Sequence, residues 1–273
     1  MKKIIPLLVA VTLLTSCMSL WGNSKEKTER KPPPPPQPVV EKKPTKKEKA
    51  EGYYQIGIAY LELGEIPLAL NYLFKAKKLT PDDPKIYNAI GLAFLKRGDL
   101  DKAERFLRKA ISMKPDFSEA WLNLGILYEE KGKPDKAREF YLKALSNPLY
   151  LTPEVAYYRL ALLDEKAGNT EKAKKELILA IRNNVDFVPA YLKLAELLQK
   201  EGQIEKAKEI YYQLIELHPN IQEPYCNLGK IYLHEGKREQ GIRFLRKCIK
   251  LKPASPLSAE ARRELEELNE NVP

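Results

Sequence analysis

From residue 50 onward, apolar side chains recur at three- and four-residue spacing in short runs separated by polar turns. In the first unit Tyr53, Gly57, Tyr60 and Leu61 fall on one helical face, Gly64 interrupts the run, and Ala69, Leu70, Leu73 and Ala76 fall on one face of a second helix. A period near 3.6 residues marks a helix buried along one side. The pattern therefore predicts an all-α chain of helical hairpins.

The hairpin returns every 34 residues, starting at 50, 84, 118, 154, 188 and 222, with one two-residue insertion near Pro148 and Pro153. Its fifteenth position holds Gly64, Gly98, Gly132, Gly168, Gly202 and Gly236. Small residues occupy the eighth position (Gly57, Gly91, Gly125, Ala161, Ala195, Gly229) and the twentieth (Ala69, Ala103, Ala137, Ala173, Ala207, Gly241). A large ring stands at the fourth in Tyr53, Tyr87, Trp121, Tyr157, Tyr191 and Tyr225. Small positions let two helices approach, and rings fill the space left over. One hairpin cannot bury its own apolar face, but six stacked hairpins can. After residue 256 a segment reading "LSAEARRELEELN" sets Leu257, Ala261, Leu265 and Leu268 on one face, with Ser258 as the expected N-cap. It reads as a capping helix and tail over 257–273. Array and cap use the chain from 50 onward and leave no room for a separate catalytic domain.

These positions resemble the tetratricopeptide repeat in length and in its W-x-x-L-G-x-x-Y, A, F, A, P signature. "WLNLGILYEEKGKPDKAREFYLKAL" in the third unit follows it almost throughout. The closing proline is present as Pro81, Pro115, Pro219 and Pro253, while Leu149 and Val185 take its place in units three and four, where a local change of stacking angle is expected. The resemblance implies a right-handed superhelix of six helix-turn-helix repeats. It also implies a concave surface lined by the first helices at positions five, nine and twelve. Carried onto this chain, the apolar members of that lining are Tyr54, Ile58, Leu61, Leu92, Leu95, Leu122, Ile126, Tyr158 and Leu162, and repeats five and six are mixed. An apolar run of this extent suits an amphipathic helix or an extended apolar peptide of a partner. The alternative is that the side chains cover one another in a tight superhelix. Family members that clamp a terminal carboxylate set lysine and asparagine in the groove. Here Tyr54 and Ile58 stand at the corresponding places, so that mode is not expected.

The amino end differs from all of this. Lys2 and Lys3 precede an uncharged stretch from Ile4 to Leu14, too short to span a bilayer but long enough for the core of a secretory signal. Leu14-Thr15-Ser16-Cys17 resembles the lipobox of bacterial lipoproteins, which implies a signal peptide over 1–16, acylation of Cys17, and a membrane anchor. Met18 after the cysteine, where aspartate would signal retention, leans toward the outer membrane on its periplasmic side. Residues 17–49, with five prolines at 32–36 and little apolar material, read as a disordered Pro/Lys-rich tether.

Charge follows the tether. Residues 18–49 hold nine basic and four acidic side chains, Lys2 and Lys3 add two more, and of the +10 total only +3 remains on residues 50–273. A nucleic-acid domain would concentrate basic charge on its folded body, so nucleic acid is not expected as a partner. His218 and His234 are the sole histidines, and no CxxC pair, HExxH helix or P-loop occurs. Adjacent acids such as Glu129-Glu130 and Glu266-Glu267 diverge on a helix and form no acid/base dyad. No catalytic residue, metal or cofactor is expected. Export would permit a bond between Cys226 and Cys248, but their helical phases do not obviously converge, and two packed thiols are expected instead. Anchor and repeats together look like the type IV pilus pilotins, outer-membrane lipoproteins that assist a secretin subunit. That likeness implies an envelope adaptor; the other readings are an adaptor for cell-wall hydrolases or cytochrome maturation, and a self-associating structural spacer.

Overall fold

In the computed structural model residues 43–269 are described, and they form thirteen helices. Six hairpins pair α1 (Lys46–Glu62) with α2 (Ile66–Leu79), α3 (Pro84–Lys96) with α4 (Leu100–Met113), α5 (Ser118–Glu130) with α6 (Pro134–Leu145), α7 (Pro153–Lys166) with α8 (Thr170–Asn183), α9 (Val188–Lys200) with α10 (Ile204–Leu217), and α11 (Glu223–His234) with α12 (Arg238–Leu251). The capping helix is α13 (Pro256–Glu267). The fold is the superhelix-like stack of six repeats and a cap that the periodicity predicts. Cys17 and the expected signal peptide lie outside the described residues. The expected tether lies outside them up to residue 42, and its last four residues are already helical. Thr45 starts α1 through a capping box, its amide donating to Glu48 Oε2 at 2.6 Å and its hydroxyl accepting from the Glu48 amide at 3.2 Å.

Each hairpin turns in the same way. The six glycines at position fifteen all lie at φ between 67° and 80°, the left-handed region that a side chain disfavours. Each glycine amide bonds back to the carbonyl three residues earlier, and the next amide reaches the carbonyl five residues earlier, as in Gly98 to Leu95 and Asp99 to Phe94. This Schellman geometry satisfies the last carbonyls of the first helix and reverses the chain within a few residues. At Gly125 the reason for a small residue is different: a Cβ there would lie 2.2 Å from Cε1 of Tyr141.

First helices meet directly in repeats one to three, α1 with α3 and α3 with α5, and α11 meets the cap α13, whereas no two second helices make contact of that extent. First helices therefore line the inner side and second helices the outer. The core runs through the stack in successive clusters, one from Leu61 to Leu163, the next from Ala161 to Tyr232, and a third joining α11, α12 and α13. Where the closing proline is missing, an asparagine makes the turn, two residues before Leu149 and one before Val185: the Asn147 side chain accepts from the Leu149 amide at 3.0 Å and that of Asn184 from the Asp186 amide at 2.9 Å. α6 and α7, and α8 and α9, pack as extensively as α2 and α3.

Two local expectations are corrected. Cys226 and Cys248 are joined in a disulfide, with Cα atoms 5.2 Å apart, instead of lying as free thiols. They occupy positions five and twenty-seven of the repeat, which face each other across this hairpin; position twenty-seven is the buried Ala76, Ala110, Ala144, Ala180 or Leu214 elsewhere. The N-cap of α13 is Ser255, not Ser258. Ser258 is buried, accepts from Gln222 Nε2 at 2.7 Å and donates to the Lys252 carbonyl at 2.7 Å.

Candidate functional site

The inner side begins apolar and becomes ionic. Tyr54, Ile58, Leu92 and Ile126 are half-buried, resting against the first core cluster while part of each side chain stays accessible. Leu61, Leu95 and Leu122 are buried between helices and belong to the core. Between them Asn123 Nδ2 donates to Asn88 Oδ1 at 2.9 Å, the one side-chain hydrogen bond linking α3 and α5 among the described residues.

Tyr158 and Leu162 are half-buried and line a cleft of about 630 Å³ bounded by the first helices of repeats four to six. Leu192, Val188 and Pro189 complete its apolar floor, and Lys193, Glu196, Glu223 and Asn227 form its polar edge. Below it the Tyr211 hydroxyl donates to Gln199 Oε1 at 2.7 Å, and in repeat three Tyr141 donates likewise to Glu129. Burial pushes both phenols up, and at Tyr141 the Glu129 carboxylate adds to the shift.

Charge along the inner side is tied in a ladder. Position twelve of one repeat meets position six of the next, Glu129 with Arg159 at 3.7 Å and Glu165 with Lys193 at 2.8 Å. Lys200 and Lys193 also reach Glu196, at 2.6 and 3.1 Å. Burial pushes Glu196 up, but hydrogen bonds from Lys200 and Lys193 outweigh it and hold the carboxyl below its ordinary range. In the next step Gln199 and Asn227 stand at the same two positions and carry no charge. Such an edge can orient a partner's polar groups but offers no activated nucleophile. Among the described residues no group of three or more His, Cys, Asp or Glu is placed to hold a metal ion. His234 is exposed at the end of α11, and His218 stands 3.4 Å from Asp186.

Sequence reasoning missed a buried acidic pair on the outer half of repeat four. Four repeats pile three rings at positions four, eleven and twenty-three: Tyr53, Tyr60 and Tyr72; Tyr87, Phe94 and Phe106; Trp121, Tyr128 and Phe140; Tyr225, Tyr232 and Phe244. In repeat four positions eleven and twenty-three are Asp164 and Glu176. Asp164 receives a bidentate pair from Arg138 at 2.7 and 2.9 Å and lies 3.1 Å from Lys172. Burial alone would raise it, but hydrogen bonds from Arg138, Lys172 and Asn169 hold it at about 2. Glu176, with one oxygen buried and unpaired, is pushed up to about 7, first by burial and then by Asp164 beside it. The signal was present in the alignment of repeats as two carboxylates at ring positions.

Tetratricopeptide-repeat family models match residues 57–98, 88–150, 189–220 and 222–255, together more than half of the chain. No curated protein sequence matches it. Among solved structures it is similar to PilF of Pseudomonas aeruginosa, at 21% identity and a TM-score of 0.66 over 80% of this chain and 99% of that one. PilW, a widely conserved type IV pilus biogenesis factor, is similar at 21% identity and a TM-score of 0.65 over 78% and 98% of the two chains. YrrB, a repeat protein with an unusual peptide-binding site, is similar at 22% identity and a TM-score of 0.51 over 70% and 97%. At these identities the likeness is one of fold. With the six Schellman turns, the small and aromatic positions and the matched repeats in agreement, the chain belongs to the tetratricopeptide-repeat family.

Proposed function

We propose that the protein is a non-enzymatic adaptor of the bacterial envelope that captures an apolar segment of another protein along its inner side. The observation that carries this reading is the row of half-buried apolar side chains Tyr54, Ile58, Leu92, Ile126, Tyr158 and Leu162, the first five packed on the core from below and the last two lining the open cleft. Partly exposed apolar groups on rigid helices can bury the facing side of an amphipathic helix or extended peptide with little loss of conformational freedom. Acylation at Cys17 fixes the adaptor to the outer membrane on its periplasmic side, and the Pro/Lys-rich stretch gives it radius. The Cys226–Cys248 disulfide favours an oxidising compartment and so supports export. The likeness in fold to PilF and PilW makes a type IV pilus secretin subunit the first partner to test.

Leu92→Glu with Ile126→Glu places two charges on the half-buried stripe and leaves the fully buried side chains beneath it unchanged. Tagged protein purified from detergent extracts is expected to bring down its partner, a secretin first, and the double variant to lose it while keeping its helical circular dichroism. Retention of the partner by the variant overturns capture along the inner side. A second reading is a self-associating spacer, in which another copy of the chain covers the half-buried stripe. It predicts that the same double variant keeps its partner and changes only its oligomeric state.

A further inference from the structure

The second helices of repeats one and two concentrate charge that the helical body as a whole lacks. α2 carries Lys75, Lys77 and Lys78 and no carboxylate, and α4 carries Lys102, Arg105, Arg108 and Lys109 against Asp101 and Glu104, a net of +5 where residues 50–273 together hold +3. Glu104 is taken up by Arg108 and Lys131, each at 2.8 Å, and Lys102 pairs with Asp99 at 2.7 Å. Among the described residues Lys77, Arg105 and Lys109 have no carboxylate partner.

Arg105 and Lys109, with Lys102, line a shallow cleft of about 390 Å³ with an aromatic floor, and Lys77 lies over the same rings. Phe94 stacks on Phe106 at 5.4 Å, and Phe74 meets both edge-on while remaining 40% exposed. Lys77 Nζ stands 5.3 to 5.8 Å from the ring centres of Tyr87, Phe106 and Phe74. Apart from the Tyr87 hydroxyl, no neutral hydrogen-bonding side chain lines the cleft, so little there would read one particular small molecule or peptide backbone. The exposed Phe74 and the half-buried Phe106 among long cationic stems suit a boundary between lipid and water, where rings settle among headgroups and ammonium or guanidinium groups meet lipid phosphates.

We propose that the outer face of repeats one and two docks onto an anionic phospholipid bilayer. Charge complementarity selects this occupant, and these repeats are also the ones closest in sequence to Cys17. The proposal rests on the anchored reading only for the nearness of a bilayer, and it is independent of what fills the inner side. On a tethered molecule, weak contact through this face would be enough to orient the array, because the anchor keeps the local concentration of lipid high.

The test is vesicle co-sedimentation of the full chain carrying Cys17→Ser, which removes acylation. Phosphatidylcholine vesicles report any binding through residues 4–14, common to all variants, and vesicles containing phosphatidylglycerol report the added anionic component. Lys77→Glu/Arg105→Glu/Lys109→Glu is expected to lower that component about tenfold or more, Phe74→Ala by about threefold, and added salt to weaken it. Lys77→Gln/Arg105→Gln/Lys109→Gln, which adds no carboxylate, is expected to lower the same component severalfold while keeping the helical circular dichroism, and unchanged binding by it overturns the proposal. A charge-matched variant on α12, Arg243→Glu/Lys247→Glu/Lys250→Glu, is expected to retain binding. Equal loss in both sets, equal binding to the two kinds of vesicle, or equally tight binding to soluble polyglutamate or duplex DNA overturns the proposal. The groove variant Leu92→Glu/Ile126→Glu should bind vesicles normally, so failure of the partner-capture reading is separable from failure here.

Discussion

Asp164 and Glu176 show how much one slot in the repeat can change. In four repeats their positions hold aromatic rings, but here two carboxyl groups are buried against Arg138 and Lys172, and only one of them can ionise comfortably. Because Glu176 sits at about 7 in the fold against 4.5 for an unperturbed glutamate, the folded chain keeps a proton that the unfolded chain has released across that window. Stability from this group is therefore lost as pH rises from about 4.5 to 7 and is flat above. Asp164, held at about 2, has the opposite sign and weakens the fold only as pH drops below about 4. Glu176→Gln should flatten the upper slope and raise stability at pH 8 by on the order of 2 kcal/mol in urea titrations. An unchanged slope would mean that Glu176 does not carry the proton. Gly125 makes the steric counterpart. Gly125→Ala is expected to cost about 1 to 3 kcal/mol in the same titration, since a methyl meets the buried Tyr141 ring.

At the level of the hairpin, much was legible because each element obeys a positional rule. Gly64 and its five equivalents predict the reversals, and the paired small and aromatic positions predict which faces close on each other. Less legible was which inner positions stay open. Positions five and twelve lie at the margin of the helix interface, so Leu61, Leu95 and Leu122 sink into it while Tyr54 and Tyr158, in the same kind of slot, stay half-buried. Burial there depends on the size of the neighbours across two helices, which spacing along one helix does not contain. The disulfide escaped for a related reason: judging Cys226 and Cys248 by phase on separate helices hid the fact that positions five and twenty-seven face each other. Likewise Ser258 looked like a cap because it opens an amphipathic run, but it serves the Gln222 node beneath α13.

For the whole molecule, a stack of like units has stability that varies along its length, because terminal repeats have a neighbour on one side only. The two ends of the described body are built differently. Repeat one closes with packing and a capping box, whereas repeat six carries a crosslink between its helices and a polar node in which Gln222 holds Ser255, Ser258 and the Cys248 carbonyl. A loop of this size is worth about 3 kcal/mol when closed covalently. Amide hydrogen exchange should therefore be fastest in α1 and α2 and slow in α11 and α12, and a dithiol reductant or Cys248→Ser should narrow that difference. Exchange from α11 and α12 as fast as from α1 before reduction would contradict it.

That asymmetry gives the array a direction under load. A pull from the amino end would meet the least fastened hairpin first and strip units in chain order, the force having to work through five of them before it reached the sulfur link. Beyond that point α11 and α12 could part from the rest yet not from each other, leaving a knot of structure from which the stack could zip closed again.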